Sequence, residues 1–239
     1  MLNNTQFYHS GIRNTIVSFG RLFSDIKIQR RTSEGVVDQT ITIPLSYAPK
    51  EKWIVRIDAD PTLNNHTYIT LPRMSFEITG YMYDATRKIN KMNKITCDQS
   101  SGNSRKSMFT PVPYNIDISL YVLTKTQEDA MQIIEQILPT FTPEYTLSIN
   151  AIPEMNIVQD IPVVLNGITV QDDYDGDFET RRFVTHTLTF TAKINLYGPV
   201  STQGIIKKSI VNLSEPNRKY TAEGTLRGDP ITENWINYL

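Results

Sequence analysis

The run Tyr114–Tyr145, YNIDISLYVLTKTQEDAMQIIEQILPTFTPEY, constrains the fold more than any other stretch of the chain. Ile116, Ile118, Leu120 and Val122 alternate with Asn115, Asp117, Ser119 and Tyr121, which predicts a strand with one apolar and one polar face. A helix follows from Thr124 or Thr126. Either hydroxyl can cap orphan N–H groups, with Gln127 or Asp129 three residues on. Ala130, Ile133, Ile134, Ile137 and Leu138 recur at helical spacing until Pro139 ends the helix. None of these side chains is arranged for chemistry, so the segment reads as scaffold and tilts the chain toward a building block rather than an enzyme.

The rest of the chain supplies further elements. Residues 10–23 predict a second amphipathic helix, with Ile12, Ile16, Phe19 and Phe23 inward and Arg13 and Arg21 outward. Gly20 weakens that helix by about 1 kcal/mol relative to Ala, a cost usually compensated by close packing. Strands are predicted at 25–31 and 39–45, paired as a hairpin around 33–35, and at 53–57, 74–83 and 163–170. Residues 97–107 read as a polar loop. Residues 183–197 alternate without a break and as one strand would span ~50 Å, so the strand bends at a bulge or extends past the domain as an arm. After Gly198 the chain is polar and interrupted by Gly and Pro, yet it ends in Trp235, Tyr238 and Leu239; such a tail frays unless partners hold it. The residues therefore predict an α+β fold, a mixed or antiparallel sheet flanked by two amphipathic helices. The expected division is a domain at 1–198 and an extension at 199–239 that contacts partners.

With 239 residues, 21% of them charged, and a net charge of −1, the chain lacks the basic excess of a dedicated nucleic-acid binder. The basic clusters Lys27/Arg30/Arg31 and Arg87/Lys88/Lys91/Lys94 read as solvated faces. Cys97 is the only cysteine, so no internal disulfide forms. No run of ~18 apolar residues predicts a membrane span, and the first ten residues lack the pattern of a secretory signal.

Candidate sites are few. Asp172, Asp173, Asp175, Asp177 and Glu179 suggest calcium, but aligning Gly176 with the EF-hand glycine puts Arg182 where the bidentate Glu belongs. A tight turn, its carboxylates pairing with Arg181 and Arg182 within the turn or on a neighbouring subunit, is the better account. His9, His66 and His186 have no second ligand at metal spacing, and Cys97 has no histidine nearby. No nucleotide-binding, hydrolase or metalloprotease motif occurs. The expectation is no catalytic residue, no metal and no cofactor.

Three stretches in order carry a family resemblance: FYHSGIRNTIVSFGRLFSDIKIQRR with PLSYAPKEKW, then QEDAMQIIEQILPTFTP, then DDYDGDFETRRFVTHTLTF. Together they resemble the tail sheath stabiliser, or tail completion protein, of T-even-like contractile-tailed phages. The resemblance covers roughly the first 200 residues and stops near Gly198. It implies a tail-terminator-like architecture assembling as a hexameric ring in the virion, at the head-proximal end of the tail, after synthesis in the host cytoplasm. The implied partners are further copies of the chain, the tail sheath protein, the tail-tube terminator and neck or head-completion proteins. The genome would pass through the ring without specific binding, and no membrane is involved. The interface residues expected on this reading are Asp175, Asp177, Arg181, Arg182, Trp235 and Tyr238. The alternatives are a tail-tube terminator ring, a nucleic-acid-binding module and a small hydrolase. A paired nucleophile and base, which the last requires, is absent from the sequence pattern.

Overall fold

A computed structural model of the chain describes residues 6–31, 36–52, 71–98, 104–173, 183–204, 206, 208–215 and 218–225. In chain order the elements are α1 (Gly11–Leu22), β1 (Lys27–Arg31), β2 (Val37–Thr42), β3 (Leu45–Tyr47), β4 (Arg73–Tyr83), β5 (Lys94–Asp98), β6 (Ser104–Phe109) and β7 (Val112–Thr124). They continue with α2 (Gln127–Ile137), β8 (Glu144–Ile152), β9 (Ile157–Asp173), β10 (Phe183–Leu196), β11 (Ser201–Gly204), β12 (Lys208–Glu215) and β13 (Arg218–Thr225). Two compact units result: Met1–Lys91 with Pro111–Tyr197, and Met92–Thr110 with Gly198–Leu239.

In the first unit a six-stranded sheet runs β3-β4-β7-β10-β9-β8, and β1 and β2 form a separate antiparallel hairpin. β3 lies parallel to β4, and every other pair in the large sheet is antiparallel. β7 and β10 form its centre, where Ile116, Ile118, Leu120, Val122, Leu188, Phe190, Ala192 and Ile194 all point to one buried face. Against that face α1 places Phe19, the chain just after it Phe23, α2 Ile133 and Ile137, and the following turn Phe141. The ring of Phe190 is the hub, with centroids of Phe19, Phe23 and Phe141 at 5.3, 5.6 and 5.1 Å, distances at which aromatic rings attract beyond simple burial.

The expected α+β class, with the sheet flanked by two amphipathic helices, is not what forms. Thirteen strands stand against two complete α-helices of 12 and 11 residues among the described residues, so the protein is mainly β. Both helices share one core on a single face of the sheet. The opposite face is covered locally, by a small cluster of Ala48, Tyr121 and Leu123 with Leu71 packed against it. Tyr121 and Ser119, expected on an open polar face, are therefore buried.

Local details follow the residue pattern closely. Thr126, not Thr124, caps α2: its Oγ1 accepts from the Asp129 N–H at 3.4 Å, while Thr124 closes β7. Gly20 lies where an added Cβ would sit 3.1 Å from Phe76 Cζ, the close approach that explains a glycine inside α1. The long strand 183–197 is no arm, since β10 is paired on both sides, with β7 over its length and with β9 from Phe183 to Ala192. The bulges lie in its neighbours. Thr79 is the extra residue in β4, at the Ile118–Asp117 step of β7, and Asn166 the extra residue in β9, at the Thr189–Phe190 step of β10, so the two flank the Ile118–Phe190 pair. Asn166 Nδ2 donates to Thr191 Oγ1 at 2.7 Å, Thr191 Oγ1 to Asp117 Oδ1 at 2.8 Å, and Thr79 Oγ1 to the Asp117 carbonyl at 3.3 Å. Aligned bulges add twist along one line, which curls the sheet there.

In the second unit β5, β6 and β11 form a three-stranded sheet in the order β11-β6-β5, and β12 pairs with β13. In the expected polar loop 97–107, the described residues 97–98 and 104–107 belong to strands. The expected strand at 53–57 and the 33–35 turn lie outside the described residues.

Candidate interaction surface

An open cleft of about 580 Å³ lies between the β1–β2 hairpin and α2, lined by Lys27, Gln29, Thr40, Glu128, Gln132, Glu135 and Gln136. No group of three His, Cys, Asp or Glu residues that could hold a metal occurs among the described residues. His186 is 2% exposed, in register with Val122 and Val170. Cys97 lies on β5 opposite Lys106.

The floor of the cleft shows how strand edges are managed. Gln29 N–H donates to Gln132 Oε1 at 3.0 Å, and Gln132 Nε2 donates to the Gln29 carbonyl at 3.1 Å. Gln136 Nε2 donates to the Lys27 carbonyl at 2.8 Å. A helix-borne carboxamide thus makes the reciprocal pair that a third strand would make, sealing β1 against pairing with a foreign strand. Arg30 adds an ion pair to the buried Asp129 at 3.4 Å. The signal was the Gln132/Gln136 pair at i, i+4 on α2, which sequence reasoning passed over because it is neither apolar nor charged.

Other edges remain open. Among the described residues β3 pairs with β4 at Met74–Phe76, and beyond it Tyr81, Met82 and Tyr83 are 55, 61 and 43% exposed. This end of β4 is braced on its β7 side. Tyr83 meets Tyr114 edge to face at 5.8 Å, and Arg87 Nη2 donates to the Tyr114 carbonyl at 3.2 Å and to Asn115 Oδ1 at 2.9 Å. Arg87 Nε also reaches Asp84 Oδ2 at 2.7 Å. Hydrogen bonding from the Thr86 hydroxyl, then from Arg87, holds the Asp84 carboxyl well below the usual carboxylate range. On the covered far face, burial and then the hydrogen bond to Glu77 push the Tyr121 phenol up to about 12.

Sheet edges, exposed aromatics and sealed strands are features that the described residues share with components of larger assemblies. The profile of the family described as T4-like virus Myoviridae tail sheath stabiliser matches residues 6–235. The chain belongs to this family. It is also 30% identical over 223 residues to the tail completion protein gp15 of Enterobacteria phage T4, covering 89% of this chain and 80% of that protein. Tail sheath stabilisers are structural proteins of the phage tail, and the family match runs well past Gly198, where the resemblance read from the residues stopped. The strands β11, β12 and β13 lie in this C-terminal stretch. The expected interface residues Asp175, Asp177, Arg181, Arg182, Trp235 and Tyr238 all lie outside the described residues, as does the remainder of the acidic turn from 174 onward.

Proposed function

We propose that this tail sheath stabiliser assembles as a ring, a hexamer, at the head-proximal end of the contractile tail. There it caps the last sheath ring, seats on the tail-tube terminator and offers the surface to which neck or head-completion proteins attach. Family membership over residues 6–235 is the observation that supports this reading. The work requires no catalysis. A heterologous interface repeated around an axis closes a ring, and a near-neutral net charge of −1 suits a channel through which the genome passes without being read.

On this reading the extension 199–239 contacts partners, with Trp235 and Tyr238 as its anchors, because large aromatics dominate interface energetics. Asp175 and Asp177, with Arg181 and Arg182, would link neighbouring subunits at the β9–β10 turn.

The test is to image tails assembled with and without this protein. With it, density for the chain caps sheathed tails at the head-proximal end. Without it, sheaths are lost or fail to join heads. Normal sheathed, head-joined particles lacking the protein would overturn the reading, and density on tubes without sheath would favour a tail-tube terminator instead. Truncation after Gly198 tests the extension separately: rings and tail binding that form normally would remove it from the interface.

A further inference from the structure

The two helices present exposed stripes of opposite charge. On α1 the exposed residues Arg13, Val17 and Arg21 follow one another at four-residue steps. On α2 the exposed residues are Glu128, Met131, Glu135 and Gln136, of which the first three form the stripe. Val17 and Met131 are 46 and 58% exposed, so each stripe reads charge, apolar, charge. None of the four charged residues takes part in the ion pairs seen among the described residues, Arg30–Asp129 and Arg87–Asp84.

Local helix stability does not account for the pattern. Arg21 and Glu128 sit where their helix dipoles favour them, but Arg13 lies in the first turn of α1 and Glu135 in the last turn of α2, where the dipoles oppose them. α1 has no acidic residue in its first turn and α2 no basic residue in its last. Two charges placed against their own helices are complementary to each other.

We propose that α1 of one copy docks antiparallel on α2 of the next, forming the repeated contact between subunits. Antiparallel docking sets Arg13 opposite Glu135, Val17 against Met131 and Arg21 opposite Glu128. At 1.5 Å per residue the steps match: ~6 Å from Arg13 to Val17 and ~6 Å from Glu135 to Met131, then ~6 and ~4.5 Å to the outer charges. Glu128 and Glu135 also line the open cleft beside the hairpin, which leaves room for an arriving helix. Each copy would offer α1 to one neighbour and α2 to the other, which makes the contact heterologous and propagates it around a ring; using both stripes on a single neighbour would instead close a twofold dimer. This inference rests on the ring reading given above and assigns its interface.

The test uses the full chain, with assembly followed by sedimentation and electron microscopy across protein concentration and salt. Reversing α1 (Arg13→Glu with Arg21→Glu) or α2 (Glu128→Arg with Glu135→Arg) should each weaken association about tenfold or more, given two attractive pairs turned repulsive. Mixing the two reversed proteins should restore rings with the two chains alternating, and the fourfold variant should associate by itself. Wild-type association should weaken as salt rises. Rescue by mixing separates interface loss from misfolding, since two misfolded chains would not restore each other. Wild-type rings with reversed variants that assemble equally well would overturn the docking proposal alone. A wild-type chain that stays monomeric at every concentration would overturn the ring reading with it.

Discussion

Replacing Gln132 probes the most specific device in the first unit. Lys27 and Gln29 turn main-chain groups away from β2, because antiparallel pairing alternates which residues face the partner strand. Gln132 answers Gln29 twice, at 3.0 and 3.1 Å. Gln132→Ala removes both bonds, each contributing about 0.5–1.5 kcal/mol net. The site is partly solvated, so water replaces some of that, and alanine returns a few tenths of a kcal/mol in helix propensity. The net loss should be about 1 kcal/mol, read by urea denaturation with an unchanged slope. Amide exchange is the sharper assay. Gln29 should lose about fivefold in protection, the equivalent of ~1 kcal/mol, while Ile28 and Arg30, whose groups face β2, change less. Gln132→Glu keeps the acceptor for the Gln29 N–H but turns a carboxylate oxygen toward the Gln29 carbonyl, raising the folded carboxyl's pKa. A raised pKa means the neutral form fits better, so the deficit is present at neutral pH, shrinks as pH falls through the raised folded value, and is gone below the unfolded value of about 4.3. The reasoning is wrong if Gln29 exchanges at the wild-type rate in Gln132→Ala, or if Gln132→Glu is as stable as wild type at pH 7.

Three further outcomes follow from the geometry. Phe190→Ala removes a fully buried ring touching three others and should cost about 3–5 kcal/mol by chemical denaturation. Gly20→Ala gains about 1 kcal/mol of helix propensity but drives a Cβ to 3.1 Å from Phe76, which is wedged between the rings of Phe19 and Tyr47. Overpacking of about 1–3 kcal/mol should cancel or exceed the gain, so a variant stabilised by the full propensity difference would show that the Phe76 ring yields. The depressed Asp84 carboxyl contributes stability that is fully present above its ordinary value of 3.8 and lost as pH falls toward the folded value; Asp84→Asn should flatten the acid limb of the stability–pH curve, and an unchanged limb would contradict the assigned cause.

Long amphipathic patterns were legible in the chain. α1, β4, β7, α2 and β10 form where the periodicities of Ile12–Phe23, Met74–Tyr83, Ile116–Val122, Ala130–Ile137 and Val184–Leu196 indicate. Among the strands that went unseen, β8 does alternate Leu147, Ile149 and Ala151, but others carry no apolar alternation. β5, β6 and β11 read KITCD, SRKSMF and STQG, and are held by main-chain pairing that no side-chain pattern announces. That omission, together with the placement of both helices on one face, turned a mainly β protein into an expected α+β one. The family, in contrast, was legible from the order of three stretches, although no one of them is diagnostic.

By itself the sequence determined which faces must be buried, because the period of an apolar pattern sets the face on which its residues lie, whatever they pack against. It also determined the kind of protein, through family membership. Tertiary structure alone decided what covers each face and closes each edge. Nothing in the residues around Gln132 says that its carboxamide completes the pairing of a strand 103 positions away. Nor does the Phe183–Leu196 pattern say that two neighbours would flank that strand. Such pairings depend on which distant groups the chain path brings within about 3 Å, and hydrogen bonding acts only over that range.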